Sequence, residues 1–146
     1  MIIENKSLLE SLEILEKNNK FDFIISISDP NSSGYIEDCN IRLEVKDRSF
    51  GPYAPTEDFI ISAISKIKES NILTCDKLLI SCHSGVSRSP AILLITLIEV
   101  FQYSPSDAVN LLFEINPYAK PNKKIIEIYS ILSGFLDIPE LISNKK

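Results

Sequence analysis

The feature that constrains the fold most is a strand, a tight loop and a helix between Lys77 and Leu94. This segment reads KLLISCHSGVSRSPAILL, with an aliphatic run before the loop and an apolar run after it. The first run predicts a short buried strand. Pro90 fits a helix only in its first turn, so the helix is predicted to begin at Arg88. The loop between them is Cys82 to Ser87.

This loop is suited to bind an anion. Backbone N–H groups that converge in a tight loop beside a helix N-terminus attract negative charge. The same field favours a thiolate at Cys82, where the predicted strand ends. Arg88 offers a fork of N–H donors to two phosphate oxygens, which a lysine does not. The alternative is a structural Cys buried beside an ordinary strand-to-helix turn.

The segment CHSGVSRSP resembles the signature CX5R loop of the cysteine-dependent protein tyrosine phosphatase superfamily, in its compact dual-specificity-like and small bacterial branch. The resemblance implies that Cys82 is the nucleophile and forms a phosphocysteine. It also implies that Arg88 holds the phosphoryl group and that Ser89 assists the thiolate as leaving group. The loop residues that would bind the phosphate with Arg88 are His83, Ser84, Gly85, Val86 and Ser87.

One position departs from the family pattern. The family usually has a His immediately before the nucleophile, where this chain has Ser81. In the family that His orders the loop and tunes the thiol. We therefore expect either that Ser81 replaces part of its hydrogen bonding or that activity is weak. His83 follows the nucleophile instead, and we expect it to shape the rim of the loop or to have no role.

Phosphoryl transfer to a thiolate releases an alkoxide or phenoxide, which a carboxylic acid must protonate. We predict Asp47 as this acid, because it follows a predicted strand and opens a loop rich in Gly, Pro and aromatic residues. The resemblance puts the family's general acid at the same place. Asp58 and Glu44 are the alternatives, and a solvated Asp47 without a role is the other interpretation. The aromatic loop residues, Phe50 and Tyr53, either wall the pocket or are simply exposed.

Periodicity predicts the other elements of the chain. The predicted strands are Met1–Ile3, Phe21–Ser28 and Cys39–Val45, and the predicted helices are Ser7–Lys17, Thr56–Ser70, Ser104–Asn116 and Asn122–Leu136. The tail from Asp137 is expected to fray. We predict a single α/β domain over residues 1–146. The resemblance, which extends from about Phe21 to Leu136, implies a three-layer fold with a central sheet of about four or five mostly parallel strands flanked by helices.

Charge and hydropathy narrow the possible partners. The formal net charge is −5, which argues against nucleic acid or an anionic membrane as the main partner. The longest apolar run, Ala91 to Ile98, is far shorter than a membrane span. The N-terminal segment MIIENKSLL lacks the pattern of a signal peptide, so we expect a cytoplasmic location.

The three cysteines are irregularly spaced and do not form a disulfide framework. Cys39 and Cys75 are interpreted as small buried residues, and a disulfide with Cys82 after oxidation is the alternative. The sequence has one His and no zinc-like spacing, so we expect no metal, and no cofactor is indicated.

Three functions follow from these observations. The first is a phosphomonoester hydrolase, of the protein tyrosine or dual-specificity type, that acts on a phosphorylated protein or a small phosphate ester. The second is a degenerate phosphatase that binds phosphoproteins without hydrolysing them. The third is a redox protein that uses Cys82, although the chain has no CxxC pair. The sequence carries no indication of the oligomeric state.

Overall fold

The computed structural model describes residues 1–18 and 20–145. Within them, one sheet contains the strands β1 (Ile2–Ser7), β2 (Phe23–Ser28), β3 (Ile41–Glu44) and β4 (Lys77–Cys82). The spatial order is β1-β4-β2-β3, and every pair is parallel. The strand β4 is therefore central, and it carries Cys82 at its carboxyl end. The predicted α/β fold with four or five mostly parallel strands is confirmed.

Helices connect and flank these strands. They are α1 (Leu8–Glu16), α2 (Glu57–Glu69), α3 (Arg88–Glu99), α4 (Pro105–Ile115), α5 (Lys123–Ser133) and α6 (Ile138–Ser143), with a 3₁₀ turn at Ile72–Thr74. Four of the helix starts carry a side-chain cap that accepts from the backbone N–H three residues later. The capping residues are Ser7, Thr56, Ser104 and Asn122. These are the starts that the sequence predicts.

The sheet separates two apolar clusters, as a three-layer fold requires. The smaller cluster contains Ile24, Ile36 and Leu79, and Leu8 and Leu15 of α1 pack against it. The main core lies on the opposite face and includes residues of α2, α3, α4, α5 and α6. Alternate residues of β4 face opposite clusters, because successive side chains of a strand point to opposite sides. Cys82 belongs to the main core, whereas Leu79 faces α1.

The first strand is longer than predicted. The sequence predicts only Met1–Ile3, but β1 continues to Ser7 and pairs with β4 from Ile2↔Lys77 to Ser7↔Cys82. The continuation was not predicted because Glu4, Asn5 and Lys6 are polar, and polar residues are poor strand formers. As a result β1 reaches the loop that follows Cys82.

The predicted fraying of the tail is wrong for the part of it that the structure describes. Residues Ile138–Ser143 form α6, in which Ile138 and Ile142 are buried on the main core. These two residues are four apart and therefore share one helix face. The preceding helix α5 ends at Ser133 rather than Leu136, because Gly134 adopts a left-handed conformation at its C-cap. The last residue of the tail, Lys146, lies outside the described residues.

Candidate active site

The loop of residues 83–87 lies between the end of β4 and the start of α3, as the sequence predicts. Cys82 is only 2% exposed. Gly85 has φ +73°, and a Cβ atom on it would lie 2.5 Å from the backbone nitrogen of Ser7 and 2.6 Å from the carbonyl carbon of Lys6. Both the backbone conformation and the close approach of β1 therefore require glycine here. The end of β1 thus supports the loop from one side.

Two groups donate hydrogen bonds to the sulfur of Cys82. The backbone N–H of Gly85 lies 3.3 Å from Sγ, and the hydroxyl of Ser89 lies 3.2 Å from it. Hydrogen bonds donated to a sulfur stabilise negative charge that develops on it. The sequence names both residues as site residues, and the structure brings them together on the sulfur.

The loop carbonyls are bound from outside the loop. The carbonyl of His83 accepts from the backbone N–H of Leu8, that of Val86 from Lys120, and that of Ser87 from Asn122. The carbonyl of Gly85 accepts from the side chain of Asn116 at 2.9 Å. Since the C=O and N–H bonds on either side of a trans peptide unit point in opposite directions, this arrangement turns the loop N–H groups inward.

Most of the loop N–H groups are free to meet a ligand. Within residues 1–18 and 20–145, the backbone N–H groups of His83, Ser84, Ser87 and Arg88 donate to no other group. The N–H of Val86 donates to the Ser84 hydroxyl at 3.2 Å. Convergent, unused N–H groups beside a helix N-terminus form an anion site of the kind that the sequence predicts.

Arg88 is held by two acceptors at one of its nitrogens. Its Nη1 donates to Oδ1 of Asp29 at 2.7 Å and to the carbonyl of Val45 at 2.8 Å. The residue is only 6% exposed. Its Nε and Nη2 make no hydrogen bond in the described part of the chain. These two nitrogens form the edge of the guanidinium that can bind two oxygens of one phosphate.

Sequence reasoning missed Asp29. The residue directly follows β2, which is the neighbour of β4, so it lies at the same edge of the sheet as Cys82. The stretch DPNSSG, from Asp29 to Gly34, consists mostly of turn-forming residues and by itself indicates only a loop. The available signal was the position of an acidic residue at the carboxyl end of a buried strand, where ligands bind in this class of fold.

Asp47 lies beside the loop and is exposed to solvent. Its Oδ1 accepts from the hydroxyl of Ser87 at 2.6 Å and from Nδ2 of Asn122 at 2.9 Å. Asn122 also donates to the carbonyl of Arg48 at 3.0 Å, so it fixes the backbone that follows Asp47. The structure therefore brings Asp47 to the candidate site, although its role as an acid stays a prediction.

The two alternative acids lie elsewhere. Glu44 forms an ion pair with Arg42 at 2.9 Å on the edge strand β3. Asp58 lies in the first turn of α2. Among the described residues, neither side chain makes a hydrogen bond to the loop 83–87.

No protein-family model and no curated protein sequence matches this chain. Solved structures are similar to it. Human DUSP28 matches with a TM-score of 0.64 at 15% identity, over 94% of both chains. A leucine-rich-repeat and phosphatase-domain protein from Entamoeba histolytica matches with a TM-score of 0.63 at 23% identity, over 92% of this chain and 88% of that one. The human tyrosine phosphatase-like serine/threonine/tyrosine-interacting protein matches with a TM-score of 0.60 at 21% identity, over 87% and 85% of the two chains.

The chain has the fold of the cysteine-dependent tyrosine and dual-specificity phosphatases. The fold resemblance that the sequence indicates is thereby confirmed. The alignments cover nearly the whole chain on both sides, so the shared fold includes both the sheet and the flanking helices. No helix among the described residues is long and apolar enough to cross a membrane.

Ser81 stands directly before Cys82 in β4, at the position where the family has its His. Its side chain is fully buried on the opposite face of the sheet from Cys82, where its Oγ lies 3.0 Å from Oγ of Ser11. Neighbouring residues of a strand point to opposite faces, so Ser81 cannot share the environment of the Cys82 sulfur. The Oγ of Ser81 also lies 3.5 Å from the carbonyl oxygen of Cys82, toward which it donates, so the replacement of part of that His's hydrogen bonding by Ser81 stays a prediction.

The residues expected at the rim are exposed. His83 contributes its backbone carbonyl to the contact with Leu8, and its side chain makes no hydrogen bond within the described residues. Phe50 is 82% exposed, and Tyr53 is 68% exposed with the ammonium group of Lys46 5.0 Å from its ring centroid. Neither aromatic ring packs into a wall of the loop in the free protein.

Neither of the other cysteines reaches Cys82. The strand β4 alone separates Lys77 from Cys82 by about 16 Å, and Cys75 lies beyond Lys77. Cys39 packs on the α1 side of the sheet, opposite Cys82. A disulfide needs Cα atoms within about 7 Å of each other, so the alternative of a protective disulfide with either residue is wrong. Burial raises the pKa of both Cys39 and Cys75, as expected of structural thiols.

Two further residues at the site were missed from the sequence. Asn5 of β1 and Asn116, at the end of α4, form hydrogen bonds that lead to Ser89 and Gly85. Asn5 lies beyond the end of the predicted first strand, and Asn116 marks the end of a predicted helix. Nothing in their local sequence distinguishes them from ordinary turn or cap residues.

Proposed function

We propose that this protein hydrolyses phosphomonoesters through a covalent phosphocysteine on Cys82. The observation that supports the proposal most is the set of inward N–H groups around a sulfur that accepts two hydrogen bonds, closed on one side by Arg88. A nucleophile, an anion site and a guanidinium at one point are what transfer of a phosphoryl group requires.

The proposed reaction has two steps. In the first, the Cys82 thiolate attacks phosphorus, the bond from phosphorus to the ester oxygen breaks, and Asp47 gives its proton to the departing oxygen. In the second, Asp47 accepts a proton from water as the water oxygen attacks phosphorus. The P–S bond then breaks and its electron pair returns to sulfur, where the Ser89 hydroxyl stabilises the thiolate. Arg88 and the loop N–H groups bind the phosphoryl oxygens in both steps.

The substrate class that fits this site is a phosphorylated tyrosine, serine or threonine of a protein, or a small phosphate ester. The loop 83–87 contains no Lys, so it provides no additional positive charge for a polyphosphorylated ligand. The exposed rings of Phe50 and Tyr53 are available to contact an aromatic or apolar substrate group.

Turnover of an aryl phosphate by the full chain, with a chelator present, tests the proposal. The variants Cys82→Ser and Asp47→Asn are compared with the unmodified protein, and Cys75→Ser serves as the matched control. We expect that Cys82→Ser abolishes turnover and still binds tungstate, whereas Cys75→Ser retains turnover. Undiminished hydrolysis by Cys82→Ser would show that the reaction does not pass through this sulfur.

A second candidate is a module that binds a phosphorylated partner without hydrolysing it. The side chain of Ser81 lies 3.0 Å from the Ser11 hydroxyl and meets the loop only through a long contact of 3.5 Å with the Cys82 carbonyl, so a short hydroxyl stands where the family has a His. Tungstate binding by the unmodified protein, without turnover of any aryl or alkyl phosphate, would favour this candidate over the enzyme.

A further inference from the structure

We propose that Asn5 and Asn116 are positioning residues that direct the hydroxyl proton of Ser89 onto the sulfur of Cys82. The consequence for phosphocysteine breakdown rests on the proposed function, whereas the effect on the sulfur itself does not. The two asparagines come from opposite ends of the chain, and within the described residues neither makes a hydrogen bond to the sulfur.

A chain of hydrogen bonds joins these residues. Nδ2 of Asn116 donates to Oδ1 of Asn5 at 2.9 Å, and Nδ2 of Asn5 donates to Oγ of Ser89 at 2.6 Å. The hydroxyl of Ser89 then donates to Sγ of Cys82 at 3.2 Å. Each group in this chain accepts from the previous one and donates to the next, so every bond has the same direction.

Backbone groups fix this direction. Nδ2 of Asn5 also faces the carbonyl oxygen of Ile80 at 3.2 Å, which only an N–H can satisfy. Nδ2 of Asn116 faces the carbonyl of Gly85, and its Oδ1 accepts from the backbone N–H of Tyr118 at 3.1 Å. Amide orientations are assigned from such neighbours, and here a carbonyl oxygen determines each of them. If the side-chain amide of either asparagine were rotated by 180°, its oxygen would face a backbone carbonyl oxygen.

Ser89 therefore donates its single hydroxyl proton to the sulfur. A hydroxyl has one proton to donate, and its lone pairs accept. Because Asn5 already donates to Oγ of Ser89, the proton of that hydroxyl cannot point back toward Asn5. Asn5, Ser89 and Cys82 are all buried, so water does not compete and the bond is stronger than one at the surface.

Asn116 also acts on the second donor to the sulfur. It holds the carbonyl of Gly85 at 2.9 Å, and the N–H of Gly85 donates to Sγ. The side chain of Asn116 thus supports both hydrogen bonds to the sulfur. It supports the one from Ser89 through Asn5, and the one from Gly85 through the Gly85 carbonyl. This support comes from the β1 side, on the opposite face of the sheet from the side chain of Ser81.

The pH dependence of Cys82 alkylation measures the effect on the sulfur. The full chain is treated with iodoacetamide from pH 4 to pH 10, and modification is followed on the peptide that contains Cys82. In Ser89→Ala, we expect the midpoint of the rate profile to rise by about one pH unit, the shift expected from losing one hydrogen bond to a charged group. Asn5→Leu should raise the midpoint similarly.

A double variant separates positioning from general damage. If Asn5 acts through Ser89, adding Asn5→Leu to Ser89→Ala should move the midpoint no further. Ser11→Ala is the matched control, because it also removes a buried hydroxyl beside β4 but on the other face of the sheet. Ser11→Ala should lower the melting temperature and leave the alkylation midpoint unchanged. An unchanged midpoint in Asn5→Leu, or shifts that add in the double variant, would overturn the proposal.

Asn116→Ala provides the test if Asn5→Leu does not fold, because it leaves the sheet intact. Its midpoint should rise in the same direction, and an unchanged midpoint would refute the proposal. The outcome is independent of turnover. Shifted midpoints in a protein that hydrolyses no phosphate ester would reject the proposed function alone, whereas hydrolysis with unshifted midpoints would reject only the role of the asparagines.

Discussion

Asp29 Oδ1 lies 2.7 Å from Nη1 of Arg88, and this ion pair joins the end of β2 to the start of α3. The pair uses the one nitrogen of Arg88 that also donates to the carbonyl of Val45. Arg88 is buried and Asp29 is exposed, so the carboxylate holds the guanidinium from the solvent side. The position of Arg88 before any ligand arrives therefore depends on Asp29.

Removing this carboxylate should weaken anion binding. In Asp29→Ala, Nη1 of Arg88 loses a charged acceptor, and we expect about fivefold to tenfold weaker binding of tungstate. Titration calorimetry measures the change, and Asp137→Ala is the control, because Asp137 is exposed and makes no cap hydrogen bond. Tighter binding in Asp29→Ala would instead show that the carboxylate mainly repels the anion.

Asp47→Asn tests the predicted acid through the leaving group. A general acid contributes about 10²–10⁴-fold to the rate of a step in which a basic oxygen departs. We expect a loss of this size with an alkyl or phenyl phosphate and a much smaller loss with a nitrophenyl phosphate, whose oxygen leaves without a proton. Steady-state kinetics of Asp47→Asn and Asp58→Asn make the comparison. An equal loss with both substrates would assign Asp47 a structural role at Ser87 and Asn122.

Gly85→Ala should distort the loop more than a glycine substitution elsewhere. Gly85 and Gly134 both have positive φ, at +73° and +81°, but only at Gly85 does a Cβ meet backbone atoms within 3 Å. The backbone penalty of about 1 kcal/mol is therefore common to both variants. We expect Gly134→Ala to lose about that much stability and keep tungstate binding, and Gly85→Ala to lose binding as well. Denaturant unfolding and calorimetry distinguish them, and equal behaviour would contradict the role of the close approach of β1.

Stability should fall at alkaline pH through Tyr129. Burial, followed by the hydrogen bond to Glu99 at 2.7 Å, raises the pKa of Tyr129. The unfolded chain releases this phenol proton above about pH 10, while the folded chain keeps it, so the stabilisation is complete below that pH and is lost as the pH rises further. In Tyr129→Phe, the unfolding free energy should decline less steeply above pH 10. Tyr118→Phe, at a position 82% exposed, should decline as the unmodified protein does.

Local signals account for what the sequence predicted correctly. The capping box of Ser7 and Glu10, the Thr56 cap and Pro90 each fix a helix start through residues three or fewer positions apart. The loop 82–88 is likewise continuous in sequence, so its position between β4 and α3 follows from adjacent residues. Ser81 and Cys82 are adjacent in one strand, and adjacent side chains of a strand point to opposite faces. The direction of the Ser81 side chain away from the sulfur was therefore predictable.

Long-range contacts account for what was missed. Asp29 meets Arg88 across 59 positions, and Asn5 meets Ser89 across 84. Each of these residues is unremarkable in its own segment and acquires a role only when the parallel sheet aligns the ends of its strands. The register of β1 on β4 decides which β1 residue faces Ser89, and the polar sequence of β1 did not reveal that register.

Trapping of a phosphorylated Cys82 tests the central proposal most directly. The full chain is mixed with an aryl phosphate, quenched in acid within milliseconds, digested and analysed by mass spectrometry. We predict that one phosphoryl group appears on the peptide that contains Cys82, that it accumulates further in Ser89→Ala, and that it is absent in Cys82→Ser. Release of phosphate with no phosphoryl group on Cys82 at any time would contradict the account.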